Sequence, residues 1–413
     1  MKKNRPAIAY ITQEYPTLTT TFIYREVLAL ARKGFEIVTF AIWRPKKAKL
    51  SPESRDLVDQ THYVFPVQRW PFFKAHLHFL FQRPIKYLHT LGFVLTRSGE
   101  SWSNRKRTLG HFLEAVYLAQ EMQRRQISHI HAHFTINAAS IALVVSRLLG
   151  ISFSFTAHNI FFTDRLLIAD KLREARFISA ISEFTRQYLI DLLPGESIED
   201  KIHIVHCGLS LDAFVPPPNK SENSTPMMLF VAQLAERKGA PYLIEACRIL
   251  RDRGVPFRCV VVGGGPQYDE VVVKVKEDAL TDVVQLTGPL FQDALKPYLA
   301  QADIFVLPCI TARDGDMDGV PVSLMEAMAM EIATVSTRVS GIPELILDGE
   351  TGLLVEEKDA VALADALQTL IENPEQRVTL GKKGRQHIVD NFNVDTNAAH
   401  LAALFERYLD HGA

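Results

Sequence analysis

Short apolar runs rich in β-branched residues recur along the chain. Between them lie stretches in which apolar positions return every three or four residues. The first pattern suits strands buried on both faces, the second amphipathic helices. In the first half, runs at 7–11, 36–41, 128–132, 152–156, 177–181 and 203–206 predict strands, and 22–32, 111–124 and 137–149 predict helices. The second half repeats the scheme, with strands predicted at 227–232, 257–262, 283–286, 304–307 and 334–336 and helices at 241–251, 321–330 and 360–372. This alternation predicts an α/β protein with doubly wound parallel sheets. The Pro- and Ser-rich stretch Phe214–Pro226 lacks apolar periodicity and precedes a fresh strand, so it reads as a linker. The predicted organisation is an N-terminal domain over 1–213, the linker over 214–226 and a C-terminal domain over 227–395. A last helix over 396–413 can return to the first domain. Two domains of this kind are expected to leave a cleft at the carboxyl ends of their strands, where open α/β sheets bind ligands.

One region breaks the scheme. From Thr61 to Gly99 there is no Asp or Glu, while Arg69, Lys74, Arg83, Lys86 and Arg97 interleave with Trp70, Phe72, Phe73, Phe79, Phe81, Tyr87 and Phe93. We read 61–110 as an insertion in the first domain. Its 61–99 part has the composition of a basic, aromatic surface suited to a membrane interface or a lipid substrate. A helical insertion packed on its own domain, with solvated Lys and Arg heads, accounts for the same letters. Over the whole chain charge balances, 46 Lys+Arg against 47 Asp+Glu, so no global field draws nucleic acid, and none is expected as a partner. The stretch 127–146 lacks Asp, Glu, Lys and Arg, but His129, His131, His133 and Asn137 argue for a strand and helix over a membrane span. The basic start of the chain leads into a first strand with no small-residue cleavage site, so no leader is expected there. Cys207, Cys247, Cys259 and Cys309 form no CxxC pair and read as buried thiols of a reducing compartment. The expected location is cytoplasmic, with room for peripheral attachment to the cytoplasmic membrane face.

Candidate chemistry concentrates in Leu307–Met330. A strand ends near Leu307, a polar loop follows, and a helix is predicted from about Pro321. The N–H groups around Gly319, Val320 and Val322 fall at the positive end of that helix, a cradle for phosphate or sugar hydroxyls. Asp318 just precedes the helix and Glu326 lies in its second turn, so both acids can reach one ligand. Asp314, Asp316 and Asp318 with Gly319 open like a calcium loop, but Glu326 falls one residue late and no helix is predicted before them. Asp318 can also be a plain helix cap. His129, His131 and His133 alternate on one strand face, yet no carboxylate or Cys cluster stands near them in sequence, and no metal site is expected. His158 follows a strand at its carboxyl end. His133 is expected on the acceptor side of the same cleft. The dinucleotide fingerprint is incomplete because Tyr268 stands where its third Gly belongs, and the P-loop and the serine nucleophile elbow are absent.

The stretch Asp318-Gly-Val-Pro-Val-Ser-Leu-Met-Glu326-Ala-Met-Ala resembles the Glu-x7-Glu element of the retaining glycosyltransferases of family four. The resemblance extends to Tyr15–Ile23, Val262–Pro266, Val339–Ile346 and Asp348–Val355, and covers nearly the whole chain outside the insertion. Within that family the sequence resembles exopolysaccharide transferases of the colanic-acid type. The resemblance implies a GT-B fold, two facing Rossmann-like domains, and a cytoplasmic hexosyltransferase moving a sugar from a nucleotide-sugar donor to a saccharide, expected to be lipid-linked. No cofactor and no metal are implied. By the same resemblance Asp318 touches the donor sugar, Glu326 holds the ribose, Lys238 neutralises the donor diphosphate, Gly264 lines the donor site, and His158 meets the sugar. Thr20, with His133, falls on the acceptor side. The element that usually reads Gly-Arg-Leu-x3-Lys-Gly here has Gln233 in place of the arginine, which weakens diphosphate neutralisation unless Arg237 compensates. Glu331 and Ala333 also depart from the usual Gly and Pro. Two other readings stay open on these residues: a nucleotide-sugar epimerase on the same fold, and a non-catalytic binding partner.

Overall fold

The computed structural model describes residues 7–17, 21–46, 50, 54–96, 101–158, 164–218 and 223–409. Contacts divide the chain into two units, one formed by Met1–Ile181, Thr185–Gly208 and Val394–Ala413, the other by Ser182–Phe184 and Leu209–Asn393. The division thus falls after Gly208, ahead of the Pro-rich stretch, and again before Val394.

In the first unit the order is β1 (Ile8–Glu14), α1 (Thr21–Arg32), β2 (Ile37–Trp43), α2 (Leu57–Gln60), β3 (His62–Phe65), α3 (Arg69–Gln82), α4 (Pro84–Thr96) and α5 (Trp102–Arg124). It continues through β4 (His129–His133), α6 (Asn137–Leu149), β5 (Ser152–Ala157), α7 (Ile168–Glu174), β6 (Ile178–Ala180), α8 (Glu183–Asp191) and β7 (Ile202–Ile204). Its seven strands pair in parallel in the order β3-β2-β1-β4-β5-β6-β7. Burial on both faces explains why these strands read as continuous apolar runs. Helix α6 ends where Gly150 takes φ 75° and its N–H returns to the Ser146 carbonyl at 2.8 Å, a left-handed stop that glycine adopts freely.

The second unit holds β8 (Met227–Val231), α9 (Ala240–Asp252), β9 (Arg258–Val262), α10 (Tyr268–Glu277), β10 (Val284–Gly288), α11 (Gln292–Gln301), β11 (Ile304–Leu307) and α12 (Val322–Ala329). After these come β12 (Ala333–Thr337), α13 (Ile342–Leu345), β13 (Leu353–Val355), α14 (Ala360–Glu372) and α15 (Pro374–Asn391). Its six strands are again all parallel, ordered β10-β9-β8-β11-β12-β13. The chain then supplies α16 (Val394–Leu409) to the first unit. There Val394, Ala398, Leu401, Ala402 and Phe405, spaced as one helical face, join Ile8, Tyr10, Leu30 and Phe177 in a single core cluster.

Two local differences from the sequence reading matter. Residues 62–65 of the acid-free region are a four-residue edge strand paired in parallel with β2. Leu353–Val355 also forms a strand, at the opposite sheet edge in the second unit. Both are too brief to show alternation in sequence.

Candidate active site

In an open parallel sheet the strand order reverses at one point, and the loops leaving the two strands there splay apart to make a crevice. In the second unit that point lies between β8 and β11. The loop after β8 carries Gln233 and Lys238, and the loop after β11 carries Cys309 to Asp318. Backbone hydrogen bonds bind the two loops, Ile310 N–H donating to the Arg237 carbonyl at 2.9 Å. Gly239, at φ 66°, completes the approach: a Cβ there would lie 1.8 Å from the Pro308 carbonyl oxygen. The glycine loop after β9 fits beside them, Leu234 N–H donating to the Gly264 carbonyl at 2.9 Å.

At the centre Asp318 is buried, its Oδ2 2.5 Å from Lys238 Nζ. Arg237 Nε donates to Asp318 Oδ1 at 3.3 Å, Arg237 Nη1 to Asp316 Oδ2 at 2.9 Å, and the Cys309 thiol to Asp318 Oδ2 at 3.4 Å. Burial alone would raise the Asp318 pKa, but the Lys238 and Arg237 charges overcome it and hold the carboxyl below its usual range. Burial likewise works against the Lys238 ammonium, and Asp318 more than restores it, raising its pKa. Burial, with Asp318 beside it, pushes the Cys309 thiol well up, so it stays protonated and donates. Helix α12 starts at Val322, one residue past Pro321, and its first N–H groups have no intrahelical acceptor. Gly319 and Val320 lead into it, and Glu326 is half-buried in its second turn. The far side of the loop is pinned by Glu357, which accepts from Thr311 N–H at 2.6 Å and from its hydroxyl at 3.1 Å.

In the first unit the reversal lies between β1 and β4, and the histidines gather there. His133 ends β4 and His158 follows β5. His133 Nδ1 lies 3.2 Å from His158 Nε2, and His133 Nε2 lies 3.2 Å from Glu26 Oε1 of α1. The Tyr10 hydroxyl donates to the same Glu26 oxygen at 3.0 Å, and Cys207 Sγ is 3.7 Å from His158 Nδ1. Phe22 and Phe134 flank the His158 ring, with centroids at 5.0 and 4.5 Å. His129 and His131 sit deeper on the same strand face, with every ring nitrogen 2.7–3.0 Å from a hydroxyl of Ser152, Ser154 or Thr156. Burial pushes the His129 pKa down to about 3 and those of His131 and His158 well down. Ligand atoms of Glu26, His131 and His133 lie within 4.8 Å of one another. Because both His131 nitrogens already serve hydroxyls, we read this cluster as a hydrogen-bond network.

The fold therefore brings Gln233, Lys238, Gly264, Asp318, Gly319, Val320, Val322 and Glu326 to one sheet end in the second unit, and His133 and His158 to one sheet end in the first. Gln233 is exposed. Thr20 lies outside the described residues. Arg237, expected to stand in for the missing arginine, already faces two carboxylates, so its charge is matched within the loop. Sequence reasoning missed Glu26, Tyr10 and Cys207, which join the histidines from distant parts of the chain, and the Cys309–Asp318 contact.

Two all-parallel Rossmann-like units, each with its polar cluster at the switch point, define the GT-B architecture. The chain belongs to the glycosyltransferases: the model described as Glycosyltransferase Family 4 matches residues 19–213 and that described as Glycosyl transferases group 1 matches 214–387. It is 38% identical over 208 residues to the putative colanic acid biosynthesis glycosyltransferase WcaL of Escherichia coli (strain K12), across 50% of this chain and 51% of that protein. It is equally similar, 38% over 208 residues, to the amylovoran biosynthesis glycosyltransferase AmsK of Erwinia amylovora, across 50% and 51%. The chain spans about half the length of these curated relatives. Among solved structures, Anabaena HepE in complex with UDP and glucose shares the fold, with a TM-score of 0.72 at 14% identity over 97% of this chain and 100% of that one.

Proposed function

We propose that this chain is a retaining hexosyltransferase that moves a sugar from a nucleotide-sugar donor to a saccharide acceptor, expected to be lipid-linked, in exopolysaccharide biosynthesis. The observation that carries this reading is the buried Asp318 just ahead of α12, paired with the half-buried Lys238 and Arg237, with Glu326 eight residues further on. A donor diphosphate seated at the α12 N-terminus would meet its N–H groups and Lys238, which neutralise charge as the bond to the sugar breaks. Asp318, kept ionised, would face the sugar, and Glu326 the ribose hydroxyls. Gln233 adds a hydrogen bond without charge. His158 and His133 belong to the sugar and acceptor side. Attack and departure on one sugar face would conserve the anomeric configuration, and the proposed mechanism calls for no metal. The HepE complex with UDP and glucose supports a donor of this class, and the WcaL and AmsK likeness supports exopolysaccharide assembly.

The deciding measurement is a nucleotide-sugar screen by thermal shift, followed by transfer to saccharide acceptors with the product anomer read by NMR. A bound donor raises the melting temperature. An inverted anomer would overturn retention, and conversion of the donor without acceptor would favour an epimerase. We further propose peripheral attachment to a membrane through α3 and α4. Among the described residues no helix is long and apolar enough to cross one.

A further inference from the structure

With both imidazoles neutral and Glu26 ionised, the chain of polar groups from Tyr10 to Cys207 admits one consistent placement of protons. A carboxylate only accepts, so Glu26 Oε1 receives the Tyr10 hydroxyl at 3.0 Å and an N–H from His133 Nε2 at 3.2 Å. A neutral imidazole has a single N–H, so His133 Nδ1 carries a lone pair and accepts from His158 Nε2 at 3.2 Å. His158 Nδ1 is then an acceptor, and the Cys207 thiol points its proton there at 3.7 Å. Every link has one donor and one acceptor. His131 stays outside the relay, its nitrogens committed to Ser154 and Thr156. Burial keeps the far end neutral: it pushes the Cys207 thiol up and the His158 imidazole down.

We propose that Glu26 is a positioning residue which, acting through His133, holds His158 as the neutral Nε2–H tautomer with its ring fixed between Phe22 and Phe134. Both ring nitrogens of His158 are thereby used inside the unit, so any hydrogen bond it gives a sugar comes from its main chain. The effect on turnover rests on the placement of His158 in the active site proposed above; the tautomer does not.

The test is a two-bond ¹⁵N–¹H correlation on the full chain with ¹⁵N-labelled histidine, read alongside kinetics. The wild type should show His133 and His158 protonated at Nε2 and bare at Nδ1 at neutral pH. Glu26→Gln keeps an acceptor oxygen, so it should keep both tautomers and at least about a third of wild-type kcat. Glu26→Leu should mix the tautomers of both rings and lower kcat about tenfold with donor KM little changed, the order expected for an outer partner of a site residue. Cys207→Val, which removes only the far donor, should leave His158 Nε2-protonated because the order is set from the Glu26 end, and it keeps the idea testable if Glu26→Leu fails to fold. An Nδ1–H or imidazolium form of His158 in the wild type, or unmixed tautomers in Glu26→Leu, would overturn the assignment. Full turnover in Glu26→Leu would overturn the positioning role alone, leaving the Asp318 and Lys238 reading to its own variants.

Discussion

At the scale of single residues, the Asp318–Lys238 pair dominates. A buried ion pair is a weak stabiliser as a whole but costly to break, because one partner is left charged and unmatched. Asp318→Ala or Lys238→Ala should therefore cost about 3–5 kcal/mol in denaturant unfolding. In transfer assays each should lose about 10²-fold or more in kcat, the loss typical of one preorganised stabiliser. Near-wild-type rates in both would remove the site assignment. The pH dependence follows from the two shifts. Asp318 is depressed, so its contribution is complete above its unfolded value of about 3.9 and lost as pH falls through the folded one. Lys238 is raised, so its contribution is complete below about 10.4 and lost as pH rises through the folded value. The stability gap between wild type and Asp318→Ala should be flat from about pH 5 to 9. The buried histidines act at higher pH than Asp318. His129 titrates near 3 when folded and near 6.5 when unfolded, so it weakens the fold as pH falls below about 6.5, by at most about 1.4 kcal/mol per pH unit. Thermal melts of His129→Gln should show a shallower acid slope than wild type.

At the scale of elements, the sequence shows Glu326 in the second turn of α12 because a helix has one local period, while Asp318 lies four residues ahead of Val322, in the loop. Asn137–Leu149, Ala360–Glu372 and Ile304–Leu307 are legible for the same reason, each set by one local period. The contact between the β8 and β11 loops is not local. Gly239→Ala should lose at least about 2 kcal/mol, since it combines a left-handed backbone with a Cβ driven into the Pro308 carbonyl. Titration calorimetry should show weaker donor binding, because Pro308 opens the loop that carries Asp318. Helices α3 and α4 show where composition alone falls short. On α3, Ala75 and Phe79 are buried, with Phe72 against Tyr117, while Trp70, Phe73, Lys74, Leu77 and Phe81 form an opposite, exposed stripe. On α4, Thr90 and Val94 are buried while Ile85, Leu88 and Leu95 are exposed. Both helices pack on α5, so the outward stripes face away from it. The packed insertion and the exposed apolar surface are therefore both real, on different faces.

At the scale of the whole molecule, near-zero net charge averages over an acid-free surface on α3 and α4 and an acidic loop at 314–318. Trp70 and Phe81 are 72% and 77% exposed on the helix that also carries the exposed Arg69 and Lys74, a combination that suits anionic lipid. Replacing Trp70, Phe73 and Phe81 by Ser should abolish flotation with phosphatidylglycerol vesicles and leave the melting temperature nearly unchanged. Phe72 is left alone because it packs on Tyr117. Equal flotation of this variant, or none by the wild type, would end the membrane proposal. What the sequence by itself determined was whatever a single element or a contiguous motif encodes: parallel α/β alternation in two halves, the helices, the place of Glu326 in the second turn of α12 and the motifs that carry the family. Only tertiary structure decided which side chains meet across strand order. Glu26 reaches His133 over 107 positions, Arg237 is matched by Asp316 and Asp318 some 80 positions on, and α16 closes the first core from the far end of the chain. Periodicity reports the face a residue presents, whereas its partner depends on which strands the sheet makes neighbours.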